Sequence, residues 1–159
     1  MKIIITAVLI SFSAVVAAAS NAPDWYAHLQ KLGFWDRLAE IKAVSELSEA
    51  EQRQRLPALI RLLKEPDQSV RITAATEIAE IKDVSEEAVA SLIENFKYEN
   101  GEEGMVYVDA VATFGEQTLP ALQIALQNNA WLVRTRACDA IRKIKPNLYL
   151  NGECKQKAQ

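Results

Sequence analysis

The chain has 159 residues, half of them apolar, with 18 basic and 21 acidic side chains and a formal charge of −3. That is enough chain and enough apolar matter for one domain with its own core. Five glycines and five prolines exclude a collagenous or low-complexity polymer, and the acidic excess disfavours nucleic acid, whose binding rests on lysine and arginine at the phosphates.

The first 19 residues form a segment of their own. Met1-Lys2 is a short positive region, residues 3–16 are apolar apart from Thr6, Ser11 and Ser13, and Ala17-Ala18-Ala19 places small residues before a cleavage point. Together these are the parts of a secretory signal peptide. The alternative is an uncleaved anchor, but the run falls short of the ~20 residues a spanning helix needs. No cysteine follows it closely to carry a lipid. The expectation is export to the periplasm (or the medium), with no stable membrane span after cleavage and a mature chain beginning at Ser20.

Residues 20–47 read as a helical N-terminal cap. Asp24 suits a helix start, Trp25, Leu29 and Leu32 make one apolar stripe, Gly33 breaks it, and Leu38, Ile41 and Val44 resume it. Trp25, Tyr26, Phe34 and Trp35 are read together as cap packing. Ser48 with Glu51 then has the spacing of a capping box.

From residue 48 to 145 the chain repeats itself. LPAL occurs at 56–59 and again 63 residues later at 119–122, and alignment on it matches 11 of 27 positions without a gap. The matches are Leu56/Leu119 through Leu59/Leu122, Leu63/Leu126, Val70/Val133, Arg71/Arg134, Ala74/Ala137, Ile78/Ile141, Ile81/Ile144 and Lys82/Lys145. Spacings of three, four and seven put one apolar stripe on each of two helices, joined at Glu65-Pro66-Asp67 or Asn128-Asn129. The segment between supplies a middle unit, with Val89, Leu92, Ile93 and Phe96 on its first helix and Val106, Ala110, Val111 and Phe114 on its second. The units are 48–84, 85–117 and 118–145, followed by a tail, 146–159. Pro57 falls inside a helix, where a kink is expected; Pro120 falls in a first turn, where proline is tolerated.

LPALIRLLKEPDQSVRITAATEIAEI resembles a HEAT repeat of the short bacterial type, through Asp67, Val70, Arg71, Ala74, Ala75 and Ile78. The third unit resembles it at Val133, Arg134, Ala137 and Ile141; the middle unit departs, with Glu103 and Tyr107 at the aspartate and arginine positions. The resemblance implies an all-α fold, a short right-handed α-solenoid of about three helix-turn-helix repeats. It also implies Asp and Arg bonds between neighbouring repeats, and second helices lining a concave ligand side. Their outward positions would be Thr73, Glu77 and Glu80, then Asp109, Thr113 and Glu116, then Arg136, Ala140 and Lys143.

Chemistry-bearing residues are sparse. Two cysteines in an exported chain point to a Cys138–Cys154 disulfide, worth ~3 kcal/mol in the chain-entropy model, while no CxxC spacing suggests a redox pair. His28 is the sole histidine and has no zinc-ligand set around it. Neither a GxSxG turn nor a glycine-rich phosphate loop is present, and Glu86-Glu87 and Glu102-Glu103 read as solvated helical runs. Trp131 aligns with polar Gln68, so it is either an exposed partner anchor or covered by the tail. Residues 45–103 carry a net −7 and residues 117–159 a net +5, an asymmetry that can orient a partner.

The expectation is therefore a non-enzymatic scaffold of the cell envelope, needing no cofactor or metal and binding a protein or peptide. Its candidate contacts are Trp131, Arg134, Arg136 and Lys143 with Glu77, Glu80 and Glu116. The alternative is a bilin lyase or lyase chaperone, a class that some HEAT-like proteins of this kind resemble; export and the lack of a cysteine–histidine constellation oppose it. A HEAT-like DNA glycosylase is opposed by acidity and export.

Overall fold

The computed structural model describes residues 24–81, 85–98 and 101–147. The expected signal peptide, Cys154 and most of the tail lie outside the described residues. Within them the chain is helical: α1 (Trp25–Leu29), α2 (Phe34–Lys42), α3 (Glu49–Leu62), α4 (Gln68–Ile81), α5 (Glu86–Glu94), α6 (Met105–Thr113), α7 (Leu119–Ala125) and α8 (Trp131–Ile144).

Helix starts follow their capping residues. Asp24 accepts from the Ala27 amide at 3.1 Å, Asp67 from Val70 at 3.1 Å and Ser85 from Ala88 at 3.1 Å. Each pairs a helix-start amide that the helix itself leaves unbonded. The Ser48 amide and hydroxyl both donate to Glu51 Oε2, at 3.2 and 2.6 Å. Gly33 separates α1 from α2 and is the N-cap of α2, and Pro120 sits in the first turn of α7. Helix α3 runs unbroken through Pro57; the ring lies on its exposed side. The two LPAL segments thus fall in the first helices of the second and fourth pairs, one inside α3 after a longer lead-in and one opening α7.

Neighbouring helices pack as α3/α4, α5/α6 and α7/α8, α1 and α2 are joined by the contacts of Trp25 and His28 with Glu40, and the pairs stack into an all-α HEAT-like solenoid of two layers. First helices α1, α3, α5 and α7 make one layer, and second helices α2, α4, α6 and α8 the other. The repeat stripes become the core between them: Leu59, Leu63, Ile78, Leu92, Phe96, Val111, Leu122 and Ala137 are fully buried. Burying the leucine, isoleucine, valine and phenylalanine side chains among them contributes ~1.5–3 kcal/mol each. Contacts between successive second helices are much denser than those between first helices. The second-helix layer is therefore the concave side.

The N-terminal segment expected as a cap is itself a helix pair in register with the others. Helix α1 packs on α3 and α2 on α4, with Trp25, Leu29, Leu38 and Ile41 buried. Its first helix is short, so polar links hold it down. Glu40 accepts from Trp25 Nε1 at 3.0 Å and faces His28 Nε2 at 3.1 Å. Tyr26 donates to Glu65, Gln30 Nε2 donates to the same oxygen at 2.9 Å, and the Arg61 guanidinium lies 3.8 Å from the Tyr26 ring centroid.

Candidate functional site

The concave layer places five of the nine expected outward residues at the surface: Glu80, Asp109, Thr113, Glu116 and Lys143. Two ion pairs cross it. Lys143 Nζ lies 2.6 Å from Asp109 Oδ1, and Lys145 Nζ lies 2.6 Å from Glu116 Oε2. Both are solvent-exposed, so each contributes at most ~1 kcal/mol, and a partner can displace them at little cost.

The other four, Thr73, Glu77, Arg136 and Ala140, are buried. This corrects the expectation for Glu77 and Arg136. Second helices pack so closely that the row at these positions faces a neighbouring unit instead of solvent. Glu77 accepts from the Ser45 amide at 3.0 Å, clipping α4 to the 3-10 turn Ala43–Glu46. Burial raises its pKa above the usual carboxylate value, opposed by the bonds from Ser45. Arg136 is 3% exposed. Its Nη1 donates to the Phe96 carbonyl at 2.7 Å and also to the Tyr98 carbonyl, tying α8 to the turn after α5.

Arg134 and Arg71 perform one task in two units. Arg71 Nη1 donates to the Glu65 and Pro66 carbonyls at 2.7 and 2.8 Å, and Arg134 Nη1 to those of Asn128 and Asn129 at 2.8 Å each. The Val-Arg position thus closes the turn of its own unit. Asp67 is likewise engaged by its own helix. Toward the next unit, Arg71 also lies over the Tyr98 ring, 5.2 Å away.

Trp131 opens α8 and is 61% exposed. The aromatic cluster of the first pair divides. Trp25 is buried, whereas Trp35 is 78% exposed and Phe34 packs edge-on against it at 4.9 Å. That corrects the reading of all four as packing: among the described residues no unit precedes α2 to cover its first turn.

His28, the sole histidine, faces Glu40, which also accepts from Trp25. No group of three potential metal ligands occurs among the described residues, and no described helix is long and apolar enough to cross a membrane. Sequence reasoning missed an apolar groove of about 440 Å³ on the convex side. It lies between α5 and α7, and is lined by Ala90, Ile93, Ala121, Ile124, Ala125 and Val133, with Glu94, Lys97 and Asn128 also at its walls. One signal was available. Ile124 aligns with exposed Arg61, and it stands two residues from buried Leu122, off the core stripe.

Residues 28–104 match the family of HEAT repeats. The match supports a HEAT-repeat protein and runs from the end of α1 through α5; the fourth pair is tied to the second by the LPAL alignment. No curated protein and no solved structure matches the chain.

Proposed function

We propose that this protein is a non-enzymatic scaffold of the cell envelope that binds a protein or peptide partner. HEAT repeats are in general protein-interaction scaffolds and typically non-catalytic, and the match over residues 28–104 brings this reading to the chain. The observation that carries it further is Trp131, a large aromatic side chain left 61% exposed at the edge of the stack. Exposed tryptophan is the residue type most enriched among interface anchors. Glu80, Glu116 and Lys143, exposed on the concave layer, supply orientation and association rate more than affinity. Placement in the envelope rests on the Met1–Lys2, apolar and Ala17–Ala19 pattern alone.

The test has two arms. Intact mass of the protein from its native compartment should begin at Ser20; the full-length mass recovered from cytoplasm would remove the envelope from the reading. Affinity capture from an envelope extract should yield a partner whose binding falls by about 2 kcal/mol or more in Trp131→Ala, with unchanged circular dichroism. Undiminished binding would move the site elsewhere.

A further inference from the structure

The groove between α5 and α7 lies on the convex face, opposite the concave surface just discussed, and has a distinct chemistry. Its floor and walls are small or branched apolar side chains: four alanines at 90, 121, 125 and 130, with Ile93, Ile124 and Val133. Alanine gives little side-chain bulk, so first helices that are already loosely packed leave a trough between them. Ile124 stands beside it 76% exposed. The lining runs from residue 90 to 97 on one side and 121 to 128 on the other, about 10 Å of helix at 1.5 Å per residue. That length receives two turns of a helix, presenting apolar side chains at i, i+3 or i+4, and i+7. A volume near 440 Å³ falls in the range of clefts that hold a ligand, about 300–1,000 Å³.

The walls differ in charge. Residues 119–130, the α7 side, contain no charged residue. The α5 side carries exposed Glu86 and Glu87 one turn before Ala90, and Glu94, whose charge is offset by Lys97 at 3.3 Å. The surplus is two negative charges on one wall. A second copy docking symmetrically would set these acids against one another, whereas a cationic flank would complement them.

We propose that the α5/α7 groove binds a basic amphipathic helix of a partner protein, apolar side chains seated on the alanine floor and lysine or arginine facing Glu86 and Glu87. This rests on the scaffold reading and names its partner's chemistry. Ala130, in the groove lining, immediately precedes Trp131 in the chain.

The probe is a two-heptad leucine–lysine peptide, with a leucine–glutamate peptide of the same pattern as control, titrated into the mature chain. Amide shifts should cluster at Ala90, Ile93, Ala121 and Ile124. The glutamate peptide should bind at least tenfold more weakly. Ala90→Trp fills the trough from an exposed position and should weaken the lysine peptide at least tenfold, as should Ile124→Lys, with circular dichroism unchanged. Shifts mapping elsewhere, equal binding of both peptides, or full affinity in Ala90→Trp would overturn the groove assignment. So would a peptide-free dimer that Ile124→Lys dissociates, which would make a second copy the occupant. A captured partner that depends on Trp131 but is not displaced by the peptide would leave the scaffold reading standing and this inference refuted. Peptide binding at the groove together with a captured partner indifferent to Trp131→Ala would support the groove and refute Trp131 as the anchor.

Discussion

Arg136 should behave as a structural pin. Its guanidinium is nearly inaccessible and donates to two carbonyls of the Phe96–Tyr98 turn. Bonds from a charged donor contribute ~1.5–3 kcal/mol each. Removing the donor also leaves the Phe96 carbonyl, on a fully buried residue, without that partner. The Tyr98 carbonyl is closer to water and recovers part of its bond from solvent. Arg136→Ala should therefore destabilise by about 3 kcal/mol, lowering Tm by roughly 10 °C for a domain of this size. Arg136→Met keeps much of the aliphatic stem and should lose nearly as much, because the bonds and not the packing dominate. Arg136→Lys should fall between, since an ammonium on a different stem reproduces the reach of the planar fork poorly. Urea unfolding followed by circular dichroism measures all three. Stabilities within about 0.5 kcal/mol of wild type, the usual range for surface substitutions, would show that the pin contributes nothing. Intact stability combined with lost partner binding would return Arg136 to the contact surface.

Two further outcomes are expected. Burial raises the folded-state pKa of Glu77 above its ordinary 4.5, so the native chain holds this proton more tightly than the unfolded one; this group's contribution to stability is fully present below pH 4.5 and declines as pH rises through the folded value. Glu77→Gln should remove that decline and be the more stable form at neutral pH, and denaturation curves for the two proteins that stay parallel across pH would refute it. If Cys138 and Cys154 are bonded in the exported protein, non-reducing peptide mapping yields the linked pair and Cys154→Ser lowers stability by ~2–4 kcal/mol; two alkylated thiols in the native protein would refute the pairing.

The fold was legible because its determinants are periodic. Leu59, Leu63, Ile78 and their partners 63 residues on recur at helical spacing, and stripes that cannot be buried singly must be buried by stacking. The cap's status as a helix pair was less legible, since Trp25–Leu29 is a single short turn-and-a-half whose hold depends on polar links from Glu40 and Glu65 that no periodicity reveals. The contact surface was read least well. Assigning outward positions from the family's arrangement gives angle around the helix but not distance to the next one. Dense packing of the second helices then buried Glu77 and Arg136, while loose packing of α5 against α7 opened a groove from residues that look like filler in sequence, Ala90, Ala121 and Ala125.

The same packing changes the meaning of the charge asymmetry. A net −7 facing a net +5 suggests a strong field along the array, yet Lys143 and Lys145 are each paired with an acid, Asp109 and Glu116, of the preceding unit. Much of the basic end is thus neutralised within the fold, and such exposed pairs are further screened by salt. A partner on the concave face gains little from replacing one ion pair by another of similar worth. On the proposed reading affinity there comes from apolar area, and exposed Trp131 is the proposed source of it. Electrostatics alone would make binding collapse at high salt; anchoring by Trp131 leaves the greater part intact while slowing association.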